Sequence, residues 1–222
     1  MFRDRTEAGQ LLAQRLIRYQ DQPQVVVLGL ARGGMPVASE VAKALRASLD
    51  VFLVRKLGVP GQEELAMGAT ASSNVRVLND PIINALGISP ATIEAAAAKE
   101  EREIERRERL YRGDRPSLAV GNRTIILIDD GLATGSTMRA AVLALRRQHP
   151  ASITVAVPVA AASTCEDLKH EVDEIVCLLT PENFFAVGQW YEEFSQITDE
   201  EVQELLRCAP VTRNSTDTFR QA

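Results

Sequence analysis

With 222 residues, a net charge of -5 and a pI near 5.2, the chain is long enough to bury about 70% of its unfolded surface around one core. The acidic balance and the absence of a basic run able to track a phosphate backbone argue against nonspecific nucleic-acid binding. No stretch reaches the roughly 18 apolar residues of a membrane span, and the start Met1-Phe-Arg-Asp-Arg has no apolar leader, so a soluble cytoplasmic protein without a membrane partner is expected.

The opening segment, Arg5 to Tyr19, places Ala8, Leu11, Leu12, Leu16 and Tyr19 near helical spacing, with Asp4 as a cap. Val25 to Leu30 is a continuous apolar run that predicts a buried strand. The turn Ala31-Arg-Gly-Gly34 and a helix from Pro36 to about Ala47 follow, and Val51 to Val54 predicts the next strand, which completes a βαβ unit. Arg55 to Glu64 is polar and broken by two glycines and a proline, which predicts a loop. Short strand-like pieces at Gly68 to Ser72 and Val75 to Leu78 fit an antiparallel hairpin.

Ser89-Pro90 reads as a cap and first-turn pair, and residues 90–112 are dominated by helix formers. Glu103 with Arg107, Glu105 with Arg109 and Glu108 with Arg112 are i,i+4 pairs of favourable orientation, each contributing about 0.2–0.5 kcal/mol. An exposed, salt-laced helix is the simpler reading; a dimer surface is the alternative.

Ile125-Ile-Leu-Ile-Asp-Asp-Gly-Leu-Ala-Thr-Gly-Ser-Thr137 carries the most chemistry. Four apolar residues in a row suit the middle of a parallel sheet covered on both faces, whereas adjacent carboxylates do not. Asp129 and Asp130 should therefore emerge at the strand's carboxyl end, where open α/β sheets keep their ligands. Gly131 and Gly135 allow a tight turn, and Thr134, Ser136 and Thr137 set hydroxyls beside the N–H groups of a new helix, which makes an anion site. An ordinary βα turn with one capping residue accounts for a single polar position, not for seven polar or glycine positions together. The lysine of a G-x-x-x-x-G-K-[ST] nucleotide loop is missing.

Beyond that helix, to about His149, come a strand at Ile153 to Val157, a helix near Ser163 to Glu171 and a strand at Glu174 to Leu178; the alternation predicts a parallel sheet. Thr180 to Phe194 then holds five of the chain's ten aromatics, and a final helix runs from Thr198 to about Arg207. Residues 209–222 are polar without periodicity and predict a disordered tail. Cys165, Cys177 and Cys208 are odd in number and widely spaced, so free thiols are expected, with His149 and His170 as surface imidazoles and no structural metal.

The strand, the two acids and the small hydroxyl-bearing loop resemble the phosphoribosyl-diphosphate signature of type I phosphoribosyltransferases. The resemblance implies that family's α/β fold over residues 1–208 as a single domain: a central, mainly parallel sheet flanked by helices, with a small C-terminal hood at 180–194 and, here, an inserted long charged helix. It implies that Asp129 and Asp130 hold the ribose 2- and 3-hydroxyls. The loop from Ala133 through Thr134, Gly135 and Ser136 to Thr137 would cradle the 5-phosphate, with Gly131 and Leu132 in the same substrate-binding turn. Ala31, Arg32, Gly33 and Gly34 match the family's diphosphate loop, which implies a cis peptide at Ala31–Arg32. Arg55 and Lys56 match basic residues of a mobile loop, here 57–68, that folds over the diphosphate and excludes water. With Asp129 and Asp130 they form the candidate catalytic set.

Phe185, Val187, Trp190 and Tyr191 occupy the run that covers the base in purine-type members. Trp190 and Tyr191 are the candidates to touch it, with Phe184 and Phe194 read as core filler. One departure concerns the acceptor. Members acting on 6-oxopurines carry an aspartate where this chain has Ala133, and the adenine-type loop is closer, although adenine-type chains lack the helix at 90–112.

The resemblance thus implies transfer of the 5-phosphoribosyl group from phosphoribosyl diphosphate to a nucleobase-like acceptor nitrogen, releasing diphosphate, as in nucleotide salvage. Mg²⁺ is the implied cofactor, carried mainly by the donor, with Asp129 or Asp130 as the protein groups able to reach it. A homodimer is left open. A non-catalytic regulator that binds phosphoribosyl diphosphate or a nucleotide, and hydrolysis of the phosphoribosyl group, are the alternatives.

Overall fold

The computed structural model describes residues 1–209; the expected tail lies, from residue 210 onward, outside them. The chain opens with helix α1 (Arg5–Arg15), capped by the Asp4 carboxylate, which accepts from the Glu7 N–H, and continues into β1 (Val25–Leu30), α2 (Gly34–Leu45) and β2 (Ser48–Phe52). An antiparallel excursion follows: β3 (Val54–Val59), β4 (Gln62–Ala71) and β5 (Val75–Leu78), then α3 (Asp80–Leu86) and α4 (Pro90–Arg112). The chain returns through β6 (Thr124–Ile128), α5 (Ser136–Arg146), β7 (Ser152–Val159), α6 (Ala162–Leu168) and β8 (Glu174–Leu179), and ends in α7 (Asp199–Arg207).

Five strands form a parallel sheet in the order β2-β1-β6-β7-β8. Its all-apolar strands are buried on both faces, and their alternation divides the core. Val25, Val27, Ile126 and Ile128 point into a cluster with α1, α2 and α7, whereas Val26, Leu28, Ile125 and Leu127 point into one with α5 and α6. From β1 the chain winds to one side through β2; from its neighbour β6 it winds to the other through β7 and β8. The connections after β1 and β6 therefore diverge, which opens a crevice at the strands' carboxyl ends.

The segment expected as a loop at 57–68 is instead most of a β-hairpin. β3 and β4 pair antiparallel from Val54↔Ala71 to Val59↔Gln62, with register irregularities at Gly58, and β4 pairs with β5 as expected. Pro60 and Gly61, which looked like breakers, sit at the tight turn, Gly58 sits at the register irregularity, and Leu57, Val59 and Met67 bury against Ile93 and Ala97 of α4. Helix α4 is correspondingly more than a solvated surface. Ile93, Ala97, Ile104 and Tyr111 are buried within the same chain, and all three expected Glu–Arg pairs form, of which Glu105–Arg109 is the most exposed.

The carboxyl end of α4 is fastened to β2 by a buried ion pair. Arg112 Nε donates to Asp50 Oδ1 at 2.9 Å with side chains 8% and 5% exposed, and Asp50 also accepts from the Leu118 and Val51 N–H groups. Helix α3 had no signal strong enough to be predicted, being short and without a buried residue.

Candidate functional site

Leu30 and Ile128 end the two strands that flank the crevice, so Ala31–Gly34 and Asp129–Thr137 face one another. Their packing dictates glycine at two positions. A Cβ on Gly33 would lie 2.3 Å from Asp130 Oδ2, and one on Gly34 would lie 2.5 Å from the Ile128 carbonyl oxygen. The Ala31–Arg32 peptide is cis, as the resemblance implied. Arg32 lies beside the acids in a cavity of about 410 Å³ lined also by Arg5, Gly33, Asp129, Asp130 and Phe194, and its guanidinium is steadied by Asp199 at 3.4 Å. Tyr111 donates its hydroxyl to the same Asp199 at 2.6 Å.

The two acids are treated differently. Asp129 Oδ1 accepts from the Asp130 N–H at 2.9 Å, and burial first, then the Asp130 charge, push the Asp129 carboxyl well above the usual carboxylate range. Asp130 is also raised by burial, against the pull of Arg5, whose Nε donates to Asp130 Oδ2 at 2.8 Å. Tyr191 donates its hydroxyl to the Asp130 carbonyl oxygen at 2.6 Å.

Beyond the acids, Gly135 adopts φ +71, a conformation that favours glycine, and caps α5. The side chains of Ala133, Thr134, Ser136 and Thr137 lie at the start of that helix, where the first N–H groups lack intrahelical partners. Thr164 of α6 fixes the turn from behind by donating to the Ala133 carbonyl oxygen at 2.6 Å. Leu132 departs from the expected role: its side chain is core, and its N–H bonds the Val159 carbonyl.

The two cations of β3 fall on opposite faces of the strand. Lys56 borders a small cavity of about 90 Å³ shared with Ser136 and Thr137, at the start of α5. Arg55 is not brought to the acids; its Nε donates to Glu100 of α4 at 2.7 Å, in a separate depression.

The aromatic segment is sorted by burial. Tyr191, expected as a candidate base contact, is 5% exposed, packs between Phe2 and Phe194, and has its phenol pushed up by burial, so it supports Asp130 rather than presenting a free ring. Trp190 is half-buried in the same cluster as Phe2 and Tyr191. Phe194, expected as core filler, instead lines the acid cavity and covers the Arg5 guanidinium at 3.8 Å. The most exposed ring of the segment is Phe185, 80% accessible, two residues before Val187, which packs on Gly131.

Sequence reasoning missed Arg5 and Phe194, because neither lies in a recognisable motif and only folding brings residue 5 to residue 130. It also read three independent thiols. The structure brings Cys165 of α6 against Cys177 of β8, with Cα atoms 7.6 Å apart, and leaves Cys208 away from both. A sequence separation of 12 gave no hint of that helix-on-strand packing.

The phosphoribosyl transferase domain profile matches residues 5–193. The chain belongs to the phosphoribosyl transferase family. Proteins of Mycobacterium tuberculosis strains H37Rv and CDC 1551, both provisionally named phosphoribosyl transferases, are each 45% identical over 206 residues, covering 93% of this chain and 46% of theirs. The chain thus spans about half the length of the curated relatives it matches. The crystal structure of TT1426 from Thermus thermophilus superposes with a TM-score of 0.83 at 41% identity, covering 93% of this chain and 97% of that one. The fold brings the Ala31–Gly34 turn and the Asp129–Asp130 pair together in one crevice. Among the described residues no helix is long and apolar enough to cross a membrane, and no group of three or more His, Cys, Asp or Glu could hold a metal ion.

Proposed function

We propose that the chain transfers the 5-phosphoribosyl group from phosphoribosyl diphosphate to a ring nitrogen of a nucleobase-like acceptor, releasing diphosphate. The observation that carries this reading is the contact between the Arg32–Gly34 turn and the Asp129–Asp130 pair, so close that a Cβ on Gly33 would stand 2.3 Å from Asp130 Oδ2. A diphosphate held by the turn and a ribose held by the acids would then be neighbouring parts of one ligand. In the reaction, the ribose 2- and 3-hydroxyls donate to Asp129 and Asp130, and the 5-phosphate accepts from the amides at the start of α5 and from the Thr134, Ser136 and Thr137 hydroxyls. Arg32, with its planar fork, binds the diphosphate oxygens and offsets their charge as the C1–O bond breaks, and Lys56 adds charge above the phosphate turn. The sugar becomes oxocarbenium-like, and the carboxylates beside it favour that developing positive charge.

Two adjacent carboxylates without a third ligand suit Mg²⁺, a hard cation that keeps waters and substrate oxygens in its shell. Asp129 or Asp130 would hold it together with the donor. When bound it supplies charge neutralisation at the diphosphate. Phe185 is the ring open for stacking on the acceptor, an interaction contributing about 1–3 kcal/mol per base. Exposed Ala133 offers no carboxylate to take a proton from a 6-oxopurine, so adenine-like or other acceptors are favoured.

The test is diphosphate release from phosphoribosyl diphosphate and Mg²⁺ with a panel of bases. The reading expects release with at least one base and loss of most turnover in Asp130→Asn with the fold intact. Calorimetric donor binding without release by any base would replace it with the regulator reading.

A further inference from the structure

We propose that Arg5 is a positioning residue for the phosphoribosyl transfer, holding the Asp130 carboxylate in the orientation that receives the ribose. The inference rests on the transfer reading above. Arg5 opens α1, yet its side chain is only 9% exposed. A cation at a helix N-terminus opposes the helix dipole, and a buried guanidinium loses its hydration. Neither the helix dipole nor solvation favours arginine there.

What it meets explains it. Nε donates to Asp130 Oδ2 at 2.8 Å, Nη1 donates to the Ser195 carbonyl oxygen at 2.8 Å, and the Phe194 ring covers the guanidinium at 3.8 Å from its centroid. One planar fork thus ties the first helix, the signature acid and the segment after the hood together. Asp130 is enclosed as well by Gly33, and its main chain is held by the Tyr191 hydroxyl. Arg5 engages Oδ2 and leaves Oδ1 as the oxygen for the ribose. A lysine keeps the charge but lacks the planar fork whose separate nitrogens, Nε and Nη1, reach Asp130 and Ser195 here.

Steady-state diphosphate release with the productive base separates this from a purely structural role, using wild type, Arg5→Met, Arg5→Lys, Asp130→Asn and the Arg5→Met/Asp130→Asn double variant. The expectation for Arg5→Met is a kcat lower by on the order of 100-fold, with donor KM changed by less than about threefold, since the oriented acid acts on developing charge. Arg5→Lys should recover about tenfold of that loss through its retained charge. The double variant should fall no more than about threefold below Asp130→Asn, because both changes disable one unit. An Arg5→Met kcat within about threefold of wild type, or a double-variant loss equal to the product of the single losses, would overturn the proposal. If Arg5→Met does not fold, Arg5→Lys with wild-type unfolding behaviour decides it: a kcat lowered about tenfold supports the proposal and an unchanged kcat overturns it. A wild-type chain that releases no diphosphate overturns the transfer reading and this inference together; an active wild type with unaffected Arg5 variants overturns this inference alone.

Discussion

Replacing Gly33 by alanine should damage turnover more than folding, and the geometry says by how much. The added Cβ would stand 2.3 Å from Asp130 Oδ2 and 2.8 Å from its carboxyl carbon, against about 3.4 Å for ordinary contact. The carboxylate must therefore shift by about 1 Å, and a 1 Å misplacement of a positioned group costs on the order of 100-fold in rate. Because the obstacle is the end of a side chain, it can swing aside, and the stability cost should stay near the low end of the about 1–3 kcal/mol typical of overpacking. Gly34→Ala is the control. Its Cβ would meet the Ile128 carbonyl oxygen at 2.5 Å and the Asp129 Cα at 2.9 Å, both backbone, so the sheet end itself must move. Gly34→Ala should cost as much activity and more stability, at the upper end of that range of about 1–3 kcal/mol or beyond. The assays are kcat/KM for diphosphate release and the denaturant midpoint. A Gly33→Ala enzyme within about threefold of wild type, or one less stable than Gly34→Ala, would refute the steric reasoning.

Three further outcomes are expected. Lys56→Ala should raise the donor KM by about tenfold or more, consistent with the loss of a charged hydrogen bond, whereas Arg55→Ala should change it less, because Arg55 is paired with Glu100 on the other face of the hairpin; steady-state kinetics on both variants would reverse this ranking if Arg55 were the working cation. Arg112→Met should destabilise the chain by about 3–5 kcal/mol in chemical denaturation by leaving Asp50 buried without its cation; a loss under about 1 kcal/mol would mean the pair is readily rehydrated. The Tyr111–Asp199 bond should give a measurable pH signature: the Tyr111 hydroxyl holds Asp199 below its ordinary value, so the stabilisation is present above that value and is lost as pH falls through the lowered one, while Tyr111 itself is pushed up to about 12, so its share is lost only as pH rises through that value. Wild type minus Tyr111→Phe stability should thus be flat around neutrality and shrink in acid; a difference that grows toward low pH would contradict the assignment.

The sequence by itself determined the elements whose signal is local. Apolar runs at Val25–Leu30 and Ile125–Ile128 can only be central strands, because nothing in them tolerates a wet face. The acid pair and the glycine- and hydroxyl-rich turn that follow had to lie at a strand's carboxyl end and a helix's start, so Asp129, Asp130 and the phosphate-type turn were legible before folding. Their partner at Ala31–Gly34 was read from its match to the family's diphosphate loop, since the bare pattern also fits an ordinary strand-to-helix turn. Local signals misled where a residue's role depends on a distant neighbour. The glycines and proline after Arg55 read as loop because a hairpin is stabilised by apolar contact with α4, and no window around residue 60 contains α4. Tyr191 is buried and Phe194 lines the acid cavity, the reverse of the expected burial, since burial of a ring depends on what packs above it. Strand alternation sends Lys56 toward Ser136 and Thr137 and Arg55 away from them, which becomes visible only once the strand exists. Arg5 and Asp130, 125 positions apart, interact through the docking of α1 at the sheet end. Propensity and pattern act over a few residues and therefore appear in the sequence. Which charge meets which acid is a property of long-range packing, and that the tertiary structure alone decided.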